Sequence, residues 1–221
     1  MPVRAYIFDA YGTLFDVHAA IARHRDRAGP DADRISDLWR TKQLEYTWTL
    51  TAMSRYENFE RLTERALDYA LTRFGKNDAT LRSDLLDAYR KLDAYADAEK
   101  TLAALKRSGF VTGILSNGSP DMLQAAVNNA ALGEKLDHVL SVDALGFYKP
   151  RNEVYALVTK ALDARATDIV FVSSNRWDIA GAANFGFKPV WVNRAKMPDE
   201  YPDLKPVAVI ETLAALLALK I

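Results

Sequence analysis

The chain has 221 residues, 49% of them hydrophobic and 26% charged, the proportions of a globular protein that buries a core without covalent staples. Lysine plus arginine (29) equals aspartate plus glutamate (29), so net charge gives no ground for a nucleic acid or an anionic membrane as partner. Cysteine is absent, which excludes disulfides, thiolate zinc sites and cysteine nucleophiles, and fits a reducing compartment.

The first apolar run, Ala5–Phe8, is too short for a signal peptide, and no stretch approaches the ~20 apolar residues that span a bilayer. A cytoplasmic location is expected. The run ends abruptly in Asp9-Ala10-Tyr11-Gly12-Thr13, which reads as a buried strand entering a polar turn. From Val17 to Tyr95 the character changes. Leu38, Leu44 and Trp48, then Phe59, Leu62, Ala66, Leu67, Ala70, Leu71 and Phe74, recur at helical spacing with no strand-like run among them.

After Asp97 strands and helices alternate. A helix over Ala98–Arg107 leads to the run Phe110–Leu115, which ends in Ser116-Asn117-Gly118. A helix from Pro120, a strand near Val139–Val142 and a helix from Asn152 to Leu162 follow. The run Ile169–Val172 ends in Ser173-Ser174-Asn175, a helix starts near Trp177, and a strand covers Val190–Val192. The proline-bearing stretch Lys196–Pro206 reads as an exposed loop, and a last helix is expected over Glu211–Leu219. Continuous apolar strands alternating with helices predict an α/β fold, a doubly wound parallel-sheet core covered on both faces. The core is expected to comprise residues 1–14 and 97–221, interrupted by an all-helical cap over residues 15–96.

Ligands of an open parallel sheet bind beyond the carboxyl ends of its strands. Three strands here finish in polar clusters: Asp9 with Thr13, Ser116 with Asn117, and Ser173 with Asn175 and Asp178. Lys149-Pro150 adds a cation before a helix. Singly, each has an ordinary role. An aspartate or serine after a strand forms turns, Lys149 is a loop lysine, Trp177 is core, Asp178 suits a helix start, and Arg40 is a surface cation. Together, on one rim, they assemble a carboxylate nucleophile that a neighbouring cation keeps ionised.

The segments Asp9-Ala10-Tyr11-Gly12-Thr13-Leu14, Ser116-Asn117-Gly118, Lys149-Pro150 and Ser173-Ser174-Asn175-Arg176-Trp177-Asp178 resemble the four motifs of the haloacid dehalogenase superfamily. Trp39-Arg40-Thr41-Lys42-Gln43-Leu44-Glu45-Tyr46 resembles the cap signature of its L-2-haloacid dehalogenases. The resemblance spans nearly the whole chain and implies a Rossmann-like core with a helical cap. Most members of the superfamily are magnesium-dependent phosphotransferases with a second aspartate two positions after the nucleophile. That position is Tyr11 here, and the acidic metal-binding cluster is reduced to Asp178. The departure points to carbon–halogen chemistry with no metal and no cofactor.

The resemblance implies that Asp9 displaces halide from C2 of a small 2-haloacid, and that water then hydrolyses the ester to a hydroxyacid of inverted configuration. Lys149, Thr13 and Ser173 would hold Asp9, and Ser116 the substrate carboxylate. Arg40 and Asn117 would meet the halide, since donors belong where charge develops. Asn175 and Asp178 would position and deprotonate the water, and Tyr11, Leu44, Phe59 and Trp177 would wall the substrate's alkyl group. The family implies a homodimer, for which Trp39, Tyr46, Trp48 and Met53 could supply an interface or simply core. The alternatives are a capped phosphatase or phosphonate hydrolase of the same fold, and a catalytically silent relative. A Ser-His-Asp hydrolase is disfavoured, because His18, His24 and His138 lie outside the strand-end clusters and no G-x-S-x-G occurs.

Overall fold

A strand covered on both faces needs an unbroken apolar run, and Ala5-Tyr6-Ile7-Phe8 supplies one. In the structure, a computed structural model that describes residues 3–221, this run is β1 (Ala5–Phe8), with every side chain buried. It sits inside a six-stranded parallel sheet with β2 (Val111–Ser116), β3 (His138–Ser141), β4 (Ile169–Ser173), β5 (Lys188–Val192) and β6 (Ala208–Ile210). The order is β3-β2-β1-β4-β5-β6, so β1 is flanked by β2 and β4, and Phe8 stands level with Ile114 and Val172. The strand order reverses at β1, which opens the crevice where such sheets bind ligands.

Six α-helices separate β1 from β2 along the chain, and the first five form the helical segment: α1 (Ala19–Ala22), α2 (Arg25–Ala28), α3 (Ala32–Ala52), α4 (Phe59–Arg73) and α5 (Ala79–Arg90). The longest, α3, buries Ile35, Trp39, Gln43 and Leu50. Its buried polar atoms are paired: Trp39 Nε1 donates to the Thr63 carbonyl and Gln43 Nε2 to Thr63 Oγ1, both at 2.9 Å. Side-chain caps start the next two helices, where Asn58 accepts from Arg61 N–H and Asp78 from the N–H groups of Thr80 and Leu81. The two chain crossings between this helical segment and the sheet run side by side. Tyr95 N–H donates to the Leu14 carbonyl at 2.9 Å and Asp16 N–H to the Asp93 carbonyl at 3.0 Å.

The sixth, α6 (Ala98–Arg107), leads into β2, and α7 (Pro120–Asn129), α8 (Asn152–Leu162) and α9 (Arg176–Phe185) connect the later strands. One expectation is corrected, and one strand comes in addition. No α-helix forms over Glu211–Leu219: the segment is a 3₁₀ turn, Leu213–Ala218, whose buried Leu213 and Leu216 are spaced for three residues per turn. The loop Lys196–Pro206 is followed by a strand, β6, which the sequence did not reveal because it is three residues long and lies at the sheet edge.

Candidate active site

Asp9 N–H donates to the Val172 carbonyl at 2.9 Å, so the β1–β4 pairing continues one residue past Phe8 and sets the Asp9 side chain at the sheet's carboxyl rim. The chain then turns sharply: N–H groups of Thr13, Leu14 and Phe15 all reach the Ala10 carbonyl, within 3.2 Å. Gly12, at φ +91°, permits that turn, in a region that side chains avoid. The turn brings Thr13 Oγ1 back to Asp9 Oδ2 at 3.2 Å. From the end of β4, Ser173 Oγ approaches the same oxygen at 3.4 Å, and Asn175 Nδ2 donates to it at 2.8 Å. The other oxygen, Oδ1, accepts from Lys149 Nζ at 3.1 Å.

Lys149 also donates to Asp178 Oδ2 at 2.8 Å, so one ammonium bridges two carboxylates. Its backbone N–H donates to Asn117 Oδ1 at 3.1 Å, and its peptide bond to Pro150 is cis. Tyr155 Oη, from α8, donates to Asp178 Oδ1 at 2.8 Å. Ser116 lies behind this layer, its Oγ accepting from Gly118 N–H at 3.1 Å. Gly118 packs on Tyr11, where a Cβ would fall 2.7 Å from Cε2.

Lys149 and Asp178 are 1% and 0% exposed. Burial would strip the lysine of its proton, but the Asp178 and Asp9 carboxylates more than offset it and hold its pKa above the ordinary lysine value. Burial pushes the Asp178 carboxyl up to about 6; Lys149 opposes the rise and Asp9 reinforces it. Burial, with Asp178 adding to it, raises the Tyr155 phenol well above its ordinary value, which keeps it a proton donor. Among the described residues no group of three or more His, Asp and Glu side chains is placed to hold a metal ion.

Arg40 reaches the site from α3. Its Nη2 donates to the Tyr11 carbonyl at 3.1 Å and lies 3.5 Å from Asn175 Oδ1. It lines a cavity of ≈ 750 Å³ together with Leu44, Asn175, Trp177, Arg176 and Arg194. Tyr11 is buried between Phe59 and Tyr89, with ring centroids 5.8 and 5.6 Å away. Trp177 meets Trp48 edge-on at 5.4 Å.

Thus Asp9, Thr13, Lys149, Ser173, Asn175 and Asp178 form one hydrogen-bonded network, with Asn117 and Arg40 attached to it. Ser116 joins through the turn it braces, and Tyr11 packs against Phe59 at a tilt and stacks on Tyr89. Leu44 and Trp177 border the cavity and make no hydrogen bond to Asp9. Tyr155 escaped the sequence reading. A tyrosine on the buried face of an amphipathic helix looks like core, and only the partner of its hydroxyl, Asp178, marks it as part of the site.

A parallel sheet whose carboxyl rim carries a lysine-bridged aspartate beneath a helical segment defines a hydrolase of the covalent-aspartate kind. The chain belongs to the haloacid dehalogenase-like hydrolases, whose family model matches residues 3–186. It is 51% identical over 201 residues to (S)-2-haloacid dehalogenase 1 of Pseudomonas sp. (strain CBS-3), covering 90% of this chain and 88% of that protein. A crystal structure of a dehalogenase superposes with a TM-score of 0.97 at 43% identity, covering 99% of this chain and 97% of the other. The L-2-haloacid dehalogenase from Xanthobacter autotrophicus, solved with chloropropionic acid covalently bound, gives a TM-score of 0.90 at 38% identity and 98% coverage of both chains.

Proposed function

We propose that this chain hydrolyses small L-2-haloacids to D-2-hydroxyacids and halide through an ester on Asp9. The observation that carries the reading is the buried Lys149 ammonium held between Asp9 and Asp178, which sets a positive charge against the nucleophile's Oδ1. Asp9 Oδ2 accepts from Thr13, Ser173 and Asn175, whereas among the described residues Oδ1 has Lys149 alone, so Oδ1 has a lone pair for attack. Oδ1 bonds to C2 from the side opposite the halogen. The C–X bond breaks, and halide leaves with the bonding pair towards the Arg40 and Asn117 donors. Ser116 and the adjacent turn hold the substrate carboxylate, and Tyr11, Leu44, Phe59 and Trp177 surround the C2 substituent.

In the second step a water on Asn175 loses a proton to Asp178 and attacks Cγ of Asp9. The bond from Cγ to the substrate-bound oxygen breaks, the released alkoxide takes the proton that Asp178 accepted, and the water oxygen now on Cγ gives up its remaining proton to solvent as Asp9 returns to a carboxylate. Asp9 retains the oxygen that came from water. The work is divided between a core of residues 1–14 and 97–221 and a cap of residues 15–96, a division supported by the paired crossings at Leu14–Tyr95 and Asp16–Asp93. Closure of the cap excludes water, which sharpens a carboxylate nucleophile. Of the four residues considered for a homodimer face, Trp39 is buried core, while exposed Trp48 and Met53 suit such a face, checked by sedimentation, and a cytoplasmic site of action fits the absence of cysteine.

The test is halide release from racemic 2-chloropropionate with chiral analysis of the lactate, with and without EDTA. D-lactate from the L enantiomer alone, unaffected by EDTA, is expected. Retention of configuration excludes the single displacement. Loss of activity in EDTA, restored by Mg²⁺ together with turnover of p-nitrophenyl phosphate, selects the phosphatase reading.

A further inference from the structure

Trp177 borders two cavities. One is the arginine-lined space beside Arg40 and Asn175; the other, of ≈ 520 Å³, lies past the Trp48–Trp177 pair. Successive turns of α3 follow the cleft, with Arg40 and Leu44 at the first cavity, and Trp48 and Ala52 at the second. The second cavity is walled mainly by Trp48, Ala52, Pro150, Trp177, Ala180 and Leu204. Lys149, the residue that donates to Asp9, is among its lining residues, next to Pro150. Lys149 is the only cation among the described residues that line it, and that ammonium already serves two carboxylates. An anionic group therefore finds no free partner there, whereas a hydrocarbon chain finds aromatic and aliphatic walls. The volume falls within the ~300–1,000 Å³ typical of small-molecule sites, far more than the methyl group of a propionate fills.

The outer wall is a built feature. Arg176, 4% exposed in its side chain, donates to Asp199 Oδ1 at 2.7 Å and to the carbonyls of Tyr201 and Leu204 at 2.6 and 2.9 Å. Its guanidinium also lies 5.3 Å from the Tyr201 ring centroid. The arginine thus straps the segment bearing Tyr201 and Leu204 across the cavity, from a position between the site residues Asn175 and Trp177.

We propose that this apolar cavity is an acyl subsite, so that the enzyme accepts L-2-haloalkanoic acids with extended unbranched chains, the C2 substituent passing Trp177 to lie between α3 and α9. The inference rests on the haloacid reading above and adds to it the class of substituent. The experiment compares kcat/KM for L-2-bromopropionate and L-2-bromohexanoate in the wild type, in Ala180→Leu, which fills the cavity from α9, and in Ala52→Phe, which fills it from α3. The wild type should turn over the hexanoate at least as efficiently as the propionate. Each variant should lose about tenfold or more on the hexanoate, the scale of discrimination in apolar pockets, and stay within about twofold on the propionate. The two variants arise on different helices, so failure of one to fold leaves the other as the test. Activity on neither substrate in the wild type defeats the haloacid reading itself. Activity on the propionate alone, or variants that affect both substrates equally, overturns the subsite. A shift from dimer to monomer in Ala52→Phe, with the chain-length profile unchanged, also overturns it and makes this face a contact between copies of the chain.

Discussion

Asp178 is completely buried, its two oxygens facing an ammonium and a phenol that only partly offset that burial, and the burial decides how the site responds to pH. Its carboxyl is raised from 3.8 to about 6, chiefly by burial, so below pH 6 it is protonated and unable to take a proton from water. Ester hydrolysis should therefore rise with pH and level off above about 6, while Lys149, raised above its ordinary value, stays charged through neutrality. The stability effect has the opposite sign. Between pH 3.8 and about 6 the folded chain keeps a proton that the unfolded chain has lost, so this group makes folding less favourable as pH climbs through that window. Asp178→Asn keeps the shape but cannot accept the proton. It should release about one halide per site and stall, with the substrate's acyl fragment mapped to Asp9 by mass spectrometry. Steady turnover by this variant, or ¹⁸O from water appearing in the hydroxyacid before it appears in Asp9, would defeat the scheme. Asp9, Thr13, Lys149, Asn175 and Asp178 were legible because each stands where an apolar run or a proline breaks the pattern. Tyr155 was not, since its burial is that of any core tyrosine and only the partner of its hydroxyl sets it apart.

At the scale of elements, α9 is held against α8 by the absence of a side chain. A Cβ on Gly181 would collide with Tyr155 Oη and come within 2.8 Å of Pro150 Cβ. Gly181→Ala should cost roughly 1–3 kcal/mol, as overpacked cores do. It should also push Tyr155 from Asp178 and slow ester hydrolysis, a defect that Tyr155→Phe would share without the collision. Thermal melts and rapid-quench halide bursts on both variants check this: an unshifted melting temperature in Gly181→Ala shows that α8 and α9 yield freely. The strands of the sheet interior could be read to within a residue or two, because unbroken apolar runs admit little else. At the C-terminus the sequence misled. Leu213-Ala214-Ala215-Leu216-Leu217-Ala218 is made of good helix formers, but burying Leu213 and Leu216 together selects three residues per turn, and Asp97 already holds Leu213 N–H at 2.7 Å. Propensity could not foresee that tertiary anchor.

For the molecule as a whole, the α/β alternation after Asp97 and the helical stretch before it were plain in the sequence, but the relation between them was not, because no local pattern says which residues of a helical insertion face the sheet. That Arg40 would meet the Tyr11 carbonyl came from resemblance rather than from periodicity. The paired crossings at Leu14–Tyr95 and Asp16–Asp93 also bear on how the chain first acquires its shape. The contacts of α3, α4 and α5 are close along the chain, whereas β1 pairs with β2 and β4, at Ala5–Val111 and Ala5–Ile169, across the entire helical excursion. Short loops close faster than long ones, and non-local parallel pairing is slow. The helices should therefore condense first and, by bringing Leu14 beside Tyr95, shorten the effective distance over which β1 must find its neighbours. Pulse-labelled hydrogen exchange during refolding should find amides of α3–α5 protected before those of β1. Simultaneous protection would mean that the insertion and the sheet assemble as a single cooperative unit, and that a replacement cap would have to match the sheet's own folding rate.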